Sequence, residues 1–178
     1  DEVRDIRLVR FDGEQWSDPF RLHDDGWHIE GCPVNGPALA AQGQQVVAAW
    51  FTAADGRPRV NAAFSNDGGH EFTDPVVVAK GQTKGRVDAV LLENGAAAVS
   101  WLGEQDGRGV IQARAVHADS TQPPPTTLGT VPSAARDVGF PQLERRGNAL
   151  YAAWVRPDTT GASTVQVVRT PTSAVQSK

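Results

Sequence analysis

Pro37-Ala-Leu-Ala-Ala-Gln-Gly-Gln-Gln-Val-Val-Ala-Ala-Trp50 decides the fold, because its pattern returns twice. The second copy is Asp88-Ala-Val-Leu-Leu-Glu-Asn-Gly-Ala-Ala-Ala-Val-Ser-Trp101 and the third is Pro141-Gln-Leu-Glu-Arg-Arg-Gly-Asn-Ala-Leu-Tyr-Ala-Ala-Trp154. Each is a short apolar run, a Gly-containing turn and a second apolar run that ends in Trp. The copies recur about every 50 residues, a period that marks propeller blades and other stacked β units. A chain of this kind has no single core, because each repeat buries its apolar faces against its neighbours.

Working outward from the first copy, turns at Gly43, Asp55-Gly56 and Asp67-Gly68-Gly69 predict strands near 37–42, 45–53, 58–65 and 74–80. The second copy predicts strands near 87–93, 96–103, 109–117 and 125–131, the last pair joined by a loop whose Pro123-Pro-Pro125 run cannot enter a ladder. The third predicts strands near 140–145, 149–156 and 163–170, followed by Pro171 and a polar tail without a fourth strand. Upstream, the alternation of residues 3–10 and the segment 19–23 read as the last two strands of a further unit. The expected fold class is therefore all-β: a partial β-propeller of four-stranded antiparallel blades, about half of a six-bladed ring. Its units are a half blade (1–30), a blade (31–81), a second blade (82–134) and an incomplete last blade (135–178). Almost no helix is expected. Such a half-ring exposes unpaired edges and apolar faces, so the missing propeller half or a second copy of the chain is the expected partner.

Composition narrows the function classes. The 178 residues carry a net charge of −4 with Lys and Arg scattered, which argues against a nucleic-acid surface. No apolar run approaches the roughly 18 residues of a membrane span. The single cysteine, Cys32, excludes an internal disulfide. The absence of Met and the start at Asp1 lead to the expectation that a signal peptide or a larger N-terminal part has been removed.

One turn carries a family signal. Phe64-Ser65-Asn66-Asp67-Gly68-Gly69-His70-Glu71-Phe72 fits Ser-x-Asp-x-Gly-x-x-Phe. In that pattern Asp67 accepts turn N–H groups, Ser65 braces the hairpin, a glycine takes positive φ and Phe72 plugs the gap. A decayed copy, one residue shorter, stands at Asp12-Gly13 and ends in Trp16-Ser17-Asp18-Pro19. The segment resembles the Asp-box of the sialidase-like, or bacterial neuraminidase repeat, propellers. The resemblance implies a structural role for Ser65, Asp67, Gly69 and Phe72 on the outer rim. It also implies a secreted, periplasmic or cell-envelope bacterial protein that needs no cofactor, and a glycan ligand at the channel mouth. If the chain is an enzyme, the resemblance implies exo-sialidase chemistry, with arginines on a substrate carboxylate and a Tyr nucleophile. The only tyrosine, Tyr151, reads as core packing, so no nucleophile is placed, and a non-catalytic interaction scaffold is the competing reading.

The loops that enter the innermost strands, 27–36, 82–88 and 134–140, are where a propeller presents chemistry. They hold Glu30, Asn35, Lys84, Arg86, Asp88, Arg136 and Asp137. Arg86, Arg136 and Asn35 are the candidate ligand-binding residues, and Asp88, Asp137 and Glu30 the candidate catalytic carboxylates, since Arg and carboxylate groups recognise acidic sugars through paired hydrogen bonds. The alternative for Arg86 with Asp88, and for Arg136 with Asp137, is ion pairs that knit blades together. His28, Glu30 and Cys32 lie two apart, on one side of an extended chain, and are competent metal ligands. No second cluster completes a four-ligand set, so no metal is expected, and a buried Cys32 beside a turn fixed by Pro33 and Gly36 is the simpler account.

Overall fold

A computed structural model describes residues 2–32, 34–93, 95–134, 138–158, 160 and 162–177. Strands β1 (Arg7–Leu8) and β2 (Phe20–Arg21) form a two-stranded remnant. One four-stranded antiparallel sheet follows in chain order: β3 (Ala38–Gln42), β4 (Gln45–Thr52), β5 (Arg59–Ser65) and β6 (Val76–Lys80). A second comprises β7 (Thr83–Leu91), β8 (Ala97–Gln105), β9 (Arg108–Val116) and β10 (Thr126–Val131). A third has only β11 (Gln142–Arg146), β12 (Ala149–Pro157) and β13 (Ser163–Pro171). The chain is all-β, with the sheets of a partial propeller.

The repeat sets the register in each sheet. Trp50 pairs with Asn61, Trp101 with Gln112 and Trp154 with Gln166, so each blade carries a cross-strand Trp and amide at one level. Strand side chains alternate between faces, so every Trp points back toward the preceding unit. Trp50 meets the N-terminal remnant through Asp25. Trp101 belongs to the core between the first two blades, and Trp154 to the core between the second and third. Between the first two blades, Val47, Phe51, Val60 and Phe64 meet Ala89, Leu91 and Val99; between the next two, Leu102 and Ile111 meet Leu143 and Leu150.

Burial on both faces separates inner blades from the last one. In β4 every residue after Gln45 is buried, whereas β12 alternates between buried Leu150, Ala152 and Trp154 and half-buried Tyr151, Ala153 and Val155. Its partners Val165 and Val167 are 70% and 62% exposed, though the matching β5 residues Val60 and Ala62 are fully buried. Tyr151, expected in a core, lies on this open face, where its hydroxyl accepts a bond from Arg169 Nε at 3.3 Å. The tail is not simply polar: a single helical turn, α1 (Ser173–Gln176), tucks Val175 fully into the second core, and Thr126 Oγ1 donates to the Ala174 carbonyl at 2.7 Å.

The turn after β5 has the geometry its sequence asks for. Ser65 Oγ donates to Asp67 Oδ1 at 2.7 Å and accepts the Gly69 N–H at 2.9 Å, and the same Asp67 oxygen takes the N–H groups of His70 and Glu71. Gly68 and Gly69 both have positive φ, 73° and 84°. These bonds, Ser65 first and then the two amides, hold the Asp67 carboxyl below the ordinary carboxylate range. A depressed pKa contributes stability that is present above the unfolded value of about 3.9 and is lost as pH falls through the folded one. The His70 and Glu71 amides are therefore expected to lose their protection, measured against intrinsic exchange rates, below about pH 4, and in Asp67→Ala to lack it already at pH 7. Hydrogen exchange followed by NMR checks both, and equal exchange in wild type and variant at pH 7 would contradict the account.

Candidate functional site

The end of the sheets where β3, β7 and β11 begin gathers several of the residues that the sequence singles out. β7 starts at Thr83, four residues earlier than the spacing suggests, so most of the expected loop is a bulged strand with two register breaks before Asp88. The cause is backbone: Gly85 and Arg86 are both left-handed, at φ 76° and 53°. Gly85 has no room for a side chain, since a Cβ there would lie 2.7 Å from both the Asn35 amide oxygen and the Phe51 ring. A left-handed arginine costs of order 1 kcal/mol and persists only where its surroundings fix it.

Those surroundings are cross-blade bonds. The Arg86 N–H donates to Asn35 Oδ1 at 2.8 Å, and its guanidinium donates to the Gly139 carbonyl at 2.8 Å while lying 5.6 Å from the centre of the Phe140 ring. Arg86 is only 5% exposed. Asp88 is not its partner, contrary to the ion pair expected as one alternative. The Asp88 carboxylate instead accepts the Leu143 N–H at 2.6 Å and the Ala89 N–H at 2.8 Å, tying β7 to β11. Burial pushes its carboxyl above the ordinary value; the two N–H bonds pull it down, and the Glu144 charge pushes it up again.

The other sequence candidates are less gathered. Lys84 pairs with Glu104 at 3.0 Å, away from Asp88. Glu30 and His28 are exposed, and Cys32, expected to be buried, is exposed too. No group of three His, Cys, Asp or Glu among the described residues could hold a metal ion, so His28, Glu30 and Cys32 do not converge. Arg136 and Asp137 lie outside the described residues.

Between the three innermost strands runs a cleft of about 570 Å³. Its polar lining is Gln42, Asp88, Gln142, Glu144 and Arg145, over Leu39, Ala40 and Leu91. Arg145 is committed to its walls, donating to the Leu91 carbonyl at 3.1 Å and to Glu93 at 3.0 Å. Glu144 and Gln142 are exposed. Neither is among the residues that the sequence singles out, although Gln142-Leu143-Glu144 alternates and only Leu143 is buried. Asp25 was missed as well. Its side chain is 2% exposed, and it takes the Trp50 indole N–H at 2.6 Å and the Asn61 amide at 3.4 Å, with His23 at 3.1 Å and Arg59 at 3.8 Å.

Among solved protein structures the chain is similar to the GH43 endo-arabinanase from Bacillus licheniformis, at a TM-score of 0.52 and 12% identity. The likeness covers 92% of this chain and 63% of that one. At this identity it shows the fold alone, a β-propeller. No family model and no curated protein matches the sequence. No helix among the described residues is long and apolar enough to cross a membrane.

Proposed function

We propose that this chain is part of a carbohydrate-binding propeller that holds a glycan in the cleft between β3, β7 and β11. The observation that carries it is the composition of that cleft, in which exposed carboxylate and amide groups, Glu144, Gln42 and Gln142, stand over an apolar floor. Hydroxyl-rich ligands need such groups for orientation and an apolar floor for their C–H faces. A propeller neighbour that is an endo-arabinanase supports the same class of ligand.

Hydrolysis is the finer reading. Asp88, whose carboxyl burial pushes above its ordinary value, and Glu144, exposed to solvent, are two carboxyl groups in different environments of one cleft, as an acid and its counterpart require. The turn from Ser65 to Phe72 supports a sialidase-like ancestry for the same scaffold. The competing reading, a scaffold that binds without cleaving, is favoured by the use of Arg86 and of both Asp88 oxygens across blades.

Debranched arabinan is the first probe. Glu144→Gln, an exposed change, is expected to weaken binding by about tenfold, the loss of one charged hydrogen bond, with an unchanged melting temperature. Release of reducing ends from arabinan, if it occurs, should fall with rising pH as Asp88 loses its proton. Unchanged affinity in Glu144→Gln would remove the cleft from consideration.

A further inference from the structure

We infer that the cavity between the first two blades is a binding site for the carboxylate of a small organic acid. It shares no lining residue with the cleft between β3, β7 and β11 and does not rest on the glycan reading. The observation is a comparison of two interfaces built by one repeat. At the first, the Asp25 carboxylate takes the Trp50 indole N–H at 2.6 Å and the Asn61 amide at 3.4 Å, with Arg59 at 3.8 Å. At the second, Trp101 and Gln112 stand in the register of Trp50 and Asn61. The carboxylate is missing there, because Gly81 follows Asp74-Pro75 at the spacing at which Asp25 follows Asp18-Pro19. A cavity of about 390 Å³ lies in its place, with Trp101 and Gln112 in the walls and Lys80 and Gln82, the neighbours of Gly81, beside them. Both flanking sheets have all four strands, so the walls are complete within the described residues.

The walls also hold a cation that the first interface lacks. Arg114 takes the position of the buried Ala63, on the strand face that Trp101 and Gln112 share. Its guanidinium lies 5.8 Å from the centre of the Trp101 ring. Gln122 fixes it across the interface, accepting from Nη1 at 2.9 Å and donating to the Val77 carbonyl at 2.9 Å. The Arg114 Nε is buried with no hydrogen-bond partner among the described residues. Burial also holds the guanidinium below its ordinary pKa, as for a cation short of a counter-charge. Glu104, the acid of the lining, is paired with Lys84 at 3.0 Å, and no carboxylate among the described residues pairs with Arg114. A buried cation without a partner is costly, and a carboxylate supplies the partner through charge-assisted hydrogen bonds. The volume is at the small end of ligand sites, which suits an acid of a few carbons, and the exposed Lys80 at the rim makes a dicarboxylate the natural probe.

The test is calorimetric titration of the full chain with succinate, with sulfate and the neutral succinamide beside it. Wild type is expected to bind succinate with a dissociation constant of about 1 mM or tighter and to leave succinamide unbound. Arg114→Gln should weaken succinate by about tenfold or more, the loss of one charged hydrogen bond. Gln112→Glu sets a carboxylate beside Arg114 on the same face, and so should fill the site from within, ending succinate binding while raising the melting temperature. Thermal melting checks that both variants fold, and Gln112→Glu decides the matter where Arg114→Gln does not. No succinate binding by wild type, or equal binding by wild type and the folded variants, would overturn the site. Succinamide bound as tightly as succinate would show that no charge is read, and sulfate bound as tightly would reduce the pocket to an unselective anion site; either result overturns the inference. Succinate binding lost in Glu144→Gln but kept in Arg114→Gln would put the acid in the cleft instead.

Discussion

Asp25→Ala is expected to lower stability by about 3–5 kcal/mol, the usual cost of removing one partner from a buried charged cluster. For a chain of this size that corresponds to a fall in melting temperature of roughly 10 °C. Asp25 is the acceptor on which the N-terminal remnant closes over the first blade. Without it the Trp50 indole N–H, on a side chain 1% exposed, and the Asn61 amide, 2% exposed, lose their acceptor in a site that water does not reach. Asn61 Oδ1 already lacks a partner among the described residues. Two orphaned buried donors cost about 1–3 kcal/mol each, and the His23 ring and the Arg59 charge would lose their partner. Asp25→Asn keeps one acceptor for Trp50 and should cost about half as much. Local opening should be visible before global unfolding, because the Arg4 N–H bonded to Trp27 and the Leu22 N–H bonded to Ile6 hold the remnant in place. Faster exchange at those two amides, with β8 still protected, is the signature. A melting temperature within 2 °C of wild type would show that other contacts hold the remnant.

Asp25 also marks the limit of what the sequence discloses. The Trp repeat and its glycine turns were legible because they are local: period-two alternation, a turn residue and a fixed length suffice to predict the sheets from Ala38 to Pro171. The role of Asp25 is set by Trp50 and Asn61, 25 and 36 positions away, and nothing in Asp24-Asp25-Gly26 distinguishes the buried carboxylate from its exposed neighbour. The candidate site was half-legible for the same reason. Position placed Asn35, Arg86 and Asp88 at one end of the blades, but which of them turn to solvent depends on the left-handed Gly85-Arg86 pair, and that pair turned Arg86 inward. Cys32 went the other way, since a small apolar thiol is buried more often than not and here no sheet covers it. Glu144 was readable from alternation alone, though only the cleft gives that alternation a meaning.

Gly129→Ala is expected to destabilise the protein by about 3 kcal/mol, and Gly129→Val by more, against the local trend of the strand. By backbone preference alone, replacing a glycine inside β10 should help, by up to about 1 kcal/mol. Packing reverses the sign. A Cβ at Gly129 would lie 2.3 Å from Trp154 Cζ2 and 2.6 Å from Cη2, well inside contact distance. Trp154 cannot yield, because it is 3% exposed and packed among Leu150, Ala152 and Ile111. The first blade shows why the collision is particular to this interface. Both outer strands carry a register break at the same level, between Val60 and Asn61 in the pairing of β5 with β6 and between Thr127 and Gly129 in β10. Past the break the first blade has Ala79, packed in the same core as Trp101, and the second has Gly129, whose missing Cβ leaves the room that Trp154 fills. Packing holds the ring, as its indole N–H has no acceptor among the described residues. Trp154→Leu in the Gly129→Ala background should therefore recover part of the loss, although Trp154→Leu alone leaves a cavity and destabilises. That sign reversal in a double-mutant cycle, read from urea midpoints, isolates the contact between the blades. Additive losses would mean that Trp154 moves aside and that the two blades are less tightly locked than their packing implies.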